Sequence, residues 1–247
     1  MYEGMLAETV RLAGHKGDQI EAYFARPLGV TSAAGVVVIH HRPGWDSWTK
    51  EVVRKLAHNG YAAVAPHLYS RFGPGTPDDL AAASRAAGPV PDDQVVGDVE
   101  GSIRYLQALP YHSGRVGAIG FCSGGRHTYL CACRLPQVNA AVDCWGGSVV
   151  TSPESLSPAQ PVQVLDLTKD MSCPLLGLFG NEDRNPSPEH VNRTEEELKR
   201  LGKTYEFHRY DGAGHGFFAT DRPGYRPEQA VDGWSKVFAF YAKYLAS

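Results

Sequence analysis

The sequence predicts an α/β protein with a mostly parallel central sheet, helices on both faces and an antiparallel hairpin at the N-terminus. Three observations carry that expectation. From residue 35 onward, short apolar runs alternate with longer helical stretches, the pattern of strand–helix–strand units. Runs such as Gly35-Val36-Val37-Val38-Ile39 are continuously apolar, as in strands covered on both faces. Before residue 35 the pattern differs, and two segments flank a polar turn at His15-Lys16-Gly17-Asp18.

Residues 5–13 and 19–26 make the hairpin, with Ile20, Ala22 and Phe24 alternating with more polar positions. The strand at 35–39 leads into His40-His41-Arg42-Pro43-Gly44-Trp45-Asp46. Asp46 or Ser47 can cap a helix that runs to about His58, where Asn59-Gly60 stops it. Residues 61–65 form the next buried strand, ending at Pro66. The stretch 70–92 is rich in Gly, Pro and Ala, with a short helix expected around 77–87. A longer helix starts at Asp92 or Asp93 and runs to about Leu109, with Val95, Val99, Ile103 and Leu106 on one side. The apolar run 116–121 is a strand followed by a helix over 126–135, and 138–144 is another strand that leads into Trp145-Gly146-Gly147. Residues 146–172 are rich in Pro and Ser and poorly periodic; a loop that long points to a lid or pocket wall. A strand at 175–179, a helix at 187–201, a strand at 204–210 and a helix at about 227–245 complete the chain. No repeat, low-complexity segment or linker divides it, so 1–247 reads as one domain.

Composition narrows the function. Hydrophobic residues make up 43% and charged residues 21%, ordinary values for a globular protein. A net charge of -3 offers no broad basic surface, which argues against nucleic acid as a partner. No run approaches a membrane span, and Met1-Tyr2-Glu3-Gly4-Met5 lacks the regions of a signal peptide, so a cytoplasmic location without membrane contact is expected. Five irregularly spaced cysteines fit a reducing compartment better than a disulfide framework. No His, Cys and carboxylate spacing completes a metal site, and adjacent strand residues such as His40 and His41 point to opposite faces. Neither a metal nor a cofactor is expected.

The chemistry is concentrated where strands end, because ligands of open α/β sheets bind at the carboxyl ends of the strands. Gly120-Phe121-Cys122-Ser123-Gly124 sits between a strand and a helix, the setting of a nucleophile elbow. Only Cys122 has glycine two residues to either side; Ser123 has Phe121 at minus two. On its own the motif is also compatible with a buried structural cysteine. Asp183 and His215, each just past a predicted strand, supply an acid and a base, in the order nucleophile–acid–base of α/β-hydrolases. Glu182 or Asp166 could replace Asp183 as the acid, and a glycine-flanked His215 could be a solvated surface residue. The backbone N–H groups of Ser123 and Arg42 are the expected oxyanion donors, Pro43 having none. Aromatic residues near strand ends, Trp45, Tyr69, Trp145 and Phe217 among them, suggest an apolar pocket.

These residues lie in segments that resemble the dienelactone hydrolase (carboxymethylenebutenolidase) family. The resemblance runs over nearly the full length. It is carried by Gly60 through Arg71, by Gly97-Asp98-Val99-Glu100, by Arg115 through Gly125 and by Gly212-Ala213-Gly214-His215-Gly216-Phe217. It implies the α/β-hydrolase fold and a Cys–His–Asp enzyme that opens small esters or lactones through Cys122, His215 and Asp183. Where the family has a glutamate that holds the resting thiol, this chain has His41, expected to contact and tune Cys122 instead. The family's carboxylate-binding arginines lack clear counterparts: the position four residues after the histidine is Ala219, leaving Arg42, Arg71, Arg85 and Arg222 as candidates. Other functions compatible with the same residues are acyl transfer, phosphotriester hydrolysis, and ligand binding without catalysis. The expected partner is a small-molecule ester or lactone, and the expected assembly a monomer or small homo-oligomer.

Overall fold

The computed structural model describes residues 4–246. The N-terminal hairpin pairs β1 (Met5–Ala13) with β2 (Gln19–Pro27), antiparallel and in unbroken register from Met5↔Pro27 to Ala13↔Gln19. The remaining strands are β3 (Ala33–Ile39), β4 (Ala62–Pro66), β5 (His112–Phe121), β6 (Ala140–Cys144), β7 (Leu175–Gly180) and β8 (Tyr205–Tyr210). They form one eight-stranded sheet in the order β1-β2-β4-β3-β5-β6-β7-β8. β2 meets β4 antiparallel, and every pair from β4 to β8 is parallel. This is the α/β-hydrolase arrangement that the sequence predicts.

The helices are α1 (Ser47–His58), α2 (Pro77–Ala87), α3 (Asp92–Gln107), α4 (Ser123–Arg134), α5 (Pro188–Arg200) and α6 (Pro227–Tyr244). Strand alternation divides the core between the two faces of the sheet. On β3, Val37 and Ile39 join one cluster with Val99 and Leu106 of α3 and Leu130 of α4. Val36 and Val38 join the other with Val53 and Leu56 of α1 and Val237 and Tyr241 of α6. Burial on both sides explains why β3 is continuously apolar.

Helix starts show how local chemistry sets the boundaries. Asp46 caps α1 by accepting from the Thr49 N–H at 2.9 Å. Thr76 and Asp79 form a reciprocal capping box on α2. The helix α4 begins at Ser123, three residues earlier than its apolar pattern predicts, because the turn passes from strand to helix at Cys122 itself. The segment 146–172 contains two short 3-10 turns, Pro153–Ser155 and Val164–Asp170, and is packed down. Val149, Val150, Val164 and Leu165 are buried, and the Ala159 carbonyl accepts from the Asp92 N–H at 2.8 Å. Among the described residues no helix is long and apolar enough to cross a membrane.

Candidate active site

The turn after β5 forces Cys122 into φ 56°, ψ -121°, a conformation that L-residues with side chains seldom adopt. Two glycines make it possible. A Cβ on Gly120 would lie 1.9 Å from the Gly124 carbonyl oxygen, and one on Gly124 would lie 2.1 Å from that of Ile39. The thiol therefore stands at the carboxyl edge of the sheet, at the N-terminus of α4.

Asp183 follows β7 and His215 follows β8, so neighbouring strands bring them together. Asp183 is buried; its Oδ1 accepts from the Asn185 N–H at 2.9 Å and its Oδ2 from His215 Nδ1 at 2.8 Å. Because a carboxylate only accepts, this contact places a proton on Nδ1 and fixes the ring's orientation. Burial alone would raise the Cys122 thiol pKa, but the hydrogen bond and charge of His215, with the N–H groups of Arg42 and Ser123, bring it below its ordinary 9.0. Burial would likewise lower His215, yet its bonds to Asp183 and Cys122 push it up to about 10. The two shifts run in opposite directions, the thiol down and the imidazole up, so their contact favours the charged pair over the neutral one. Of the three candidate carboxylates it is Asp183 that bonds His215, while Asp166 accepts from Gln163.

The two expected oxyanion donors, Arg42 and Ser123, converge on the Cys122 sulfur. The Arg42 loop is held from both sides. Tyr69 donates through its hydroxyl to the Arg42 carbonyl at 3.0 Å. His40, buried between strands, accepts from the Leu68 N–H and donates to the His41 carbonyl at 2.9 Å, and burial drives its pKa down to about 3.

A cavity of about 520 Å³ opens over the thiol. Its walls include Arg42, Tyr69, Ser84, Arg85, Arg126, Arg184 and Asn185, together with Gly147, Ser148 and Gln160 from the 146–172 segment. Arg126 is buried and bound through both terminal nitrogens to Asp92, at 2.6 and 3.1 Å, while its Nε has no partner. Among the described residues no carboxylate pairs with Arg42, Arg85 or Arg184.

Several residues expected at the site lie elsewhere. His41 does not turn to Cys122. Its Nε2 donates to Asp46 Oδ2 at 2.7 Å, its ring lies 5.0 Å from Trp48, and Arg222 approaches the same Asp46 oxygen at 3.4 Å. The physical reason is that β3 ends at Ile39, so His41 lies in the loop beyond the strand, where the Asp46 carboxylate at the start of α1 takes its ring nitrogen. Arg71 is bound by Asp98 through two hydrogen bonds at 2.8 and 2.9 Å and by Asp18 at 2.8 Å, outside the cavity. Trp145 and Phe217 are buried beneath the site rather than in its wall: the Trp145 ring lies 6.5 Å from His215 and 4.9 Å from Phe217. Trp45 faces a second cleft. Sequence reasoning missed Arg126 and Arg184. Arg126 was available as the residue after Gly125, had α4 been started at Ser123, and Arg184 adjoins Asp183.

The model of the dienelactone hydrolase family matches residues 20–245. The chain belongs to that family. A protein of Salmonella typhimurium that carries the provisional name carboxymethylenebutenolidase is 34% identical, over 98% of this chain and 89% of its own. One from Methylorubrum extorquens with the same provisional name is 35% identical, over 98% and 82%. A solved structure from Klebsiella pneumoniae, provisionally named a dienelactone hydrolase, superposes with a TM-score of 0.89 at 30% identity, covering 98% of this chain and all of the other. A dienelactone hydrolase-like promiscuous phosphotriesterase from metagenomic libraries shares the fold, with a TM-score of 0.78 at 20% identity and coverage of 97% and 98%. This dienelactone hydrolase family member is accordingly an enzyme of the hydrolase class.

Proposed function

We propose that this family member hydrolyses small carboxylic esters or lactones through a covalent thioester on Cys122. The observation that carries the reading is the convergence of three donors on one sulfur: His215 and the N–H groups of Arg42 and Ser123, the last of which opens α4. The Cys122 thiolate attacks the ester carbonyl carbon, and the carbonyl oxygen takes up the negative charge. That oxygen replaces the sulfur as the acceptor of the Arg42 and Ser123 N–H groups. Collapse of the tetrahedral adduct breaks the bond to the leaving oxygen, which takes the proton from His215 Nε2. The now neutral imidazole removes a proton from water, hydroxide adds to the thioester carbon, and the second collapse releases the acid and returns the thiolate. Asp183 keeps Nδ1 protonated throughout and supports the imidazolium. A lactone suits this cycle because its leaving alkoxide stays tethered inside the cavity.

The free arginines at the cavity wall favour a substrate that carries a negative charge away from the reacting carbonyl. The segment 146–172, which contributes Gly147, Ser148 and Gln160, acts as a fixed wall of the pocket. Five free cysteines and a working thiolate suit a reducing compartment such as the cytoplasm. A panel of neutral and carboxylate-bearing esters and lactones, run on wild type and Cys122→Ala, tests the proposal. Turnover by wild type that falls to background in the folded variant is expected; equal turnover by the two would refute it.

A further inference from the structure

Beside the hairpin lies a second cleft of about 510 Å³, close in size to the one over Cys122 and sharing no lining residue with it. The two are separated by the chain that leaves β4. His67 lines the second cleft, Leu68 is buried in the core, and Tyr69 lines the first. The residues of the second cleft have no part in the chemistry described for Cys122.

Its inner wall is a stack of rings. The His67 imidazole lies parallel to Trp45, with centroids 4.8 Å apart and an angle of 13° between planes. Lys50 Nζ sits 4.1 Å from the Trp45 centroid, and the Trp45 indole N–H donates to the Ala65 carbonyl, so the indole is fixed in place. His67 is only 5% exposed, yet its Nδ1 has no hydrogen-bond partner. That nitrogen is itself enclosed, so the ring meets the cleft with its carbon edge and faces rather than through Nδ1. Burial, followed by the Lys50 charge, depresses His67 to about 4, so the ring is neutral at physiological pH.

The charges at the mouth indicate the sign of the ligand. Lys50, Arg11 and Glu21 all line the cleft, two cations and one carboxylate. Arg11 and Glu21 are directly opposed across the β1–β2 ladder, a cross-strand pair of opposite charge on one face. Lys50 is therefore left in excess, with no carboxylate bound to it among the described residues. Pro74, Pro77 and Leu80 add apolar lining. An apolar wall, one uncompensated ammonium and a neutral imidazole together fit a molecule with an apolar body and a single negative head.

We infer that this cleft is a second ligand site, taking a small organic monocarboxylate whose head meets Lys50 and whose body lies against His67 and the apolar lining. Its occupation does not depend on the chemistry at Cys122. The probe is 4-bromobenzoate, used in two measurements. In crystals of the full chain soaked with it, an anomalous bromine peak is expected in this cleft. In solution titrations, Lys50→Met should weaken its binding by about tenfold, the usual cost of losing one charge-assisted contact. Glu21→Gln, which removes the carboxylate of the cleft lining, should tighten it. Bromine found only over Cys122, or affinities equal in wild type and both variants, would overturn the assignment. So would tighter binding in Lys50→Met, since it would mean that the cleft selects cations.

Discussion

Cys122 sits on a backbone with φ 56° and next to an imidazole raised to about 10, and both facts bear on its reactivity. A non-glycine residue in that region costs on the order of 1–3 kcal/mol, which the surrounding fold must offset. The thiolate gains from three donors what burial takes away, and His215 is the largest of the gains. Alkylation by iodoacetamide follows the thiolate, so its rate in wild type should rise with pH at values below 9. In His215→Ala the largest of these gains is lost, and the rise should move to higher pH. Superimposable pH–rate profiles for the two proteins would mean that His215 does not stabilise the thiolate. His41 has a different role from the one its position suggested. Its bond to Asp46 belongs to the cap of α1, and the shared approach of Arg222 ties that cap to the chain beyond His215.

The turn between β5 and α4 is the element on which the site depends, and its tolerance is set by contact distances. An alanine methyl at Gly124 would stand 2.1 Å from a backbone oxygen of β3, which cannot swing away as a side chain could. Gly124→Ala should therefore lower stability by about 1–3 kcal/mol or more, the range for overpacking. Because β3 leads into the Arg42 donor, it should also reduce turnover in the protein that remains folded. Urea unfolding of the variant checks this, and a midpoint equal to wild type would show that the turn is looser than its distances indicate. The same turn was the clearest feature of the sequence, since glycines two residues to either side of Cys122 mark a bend too tight for side chains at those positions. The order and type of the strands and helices were legible for the same kind of reason, buried strands being continuously apolar and helix caps carrying Asp, Thr or Ser. What the sequence could not convey was direction and distance. It placed Trp145 and Phe217 near strand ends without revealing that both lie under the site, and it offered Arg71 without its partners Asp98 and Asp18. Arg126 and Arg184 were missed because a cavity wall is assembled from residues far apart in the chain.

At the scale of the whole molecule, sheet order brings three distant segments together: β5 carries Cys122, while β7 and β8, paired with each other, carry Asp183 and His215. The helices and the 146–172 segment then enclose the edge and leave an arginine-lined cavity. Replacing both Arg85 and Arg184 by Met should raise KM for a carboxylate-bearing ester by about tenfold or more, and leave KM for a neutral ester nearly unchanged. Equal effects on both substrates would show that these arginines do not read substrate charge. The central claim is that Cys122 forms the covalent intermediate. The direct test is intact-protein mass spectrometry of enzyme quenched in acid during turnover of a slow ester, followed by peptide mapping. The expected result is a mass increase equal to the acyl group, located on Cys122 and absent from Cys122→Ala. Undiminished turnover in Cys122→Ala, or an acyl group found on another residue, would contradict it.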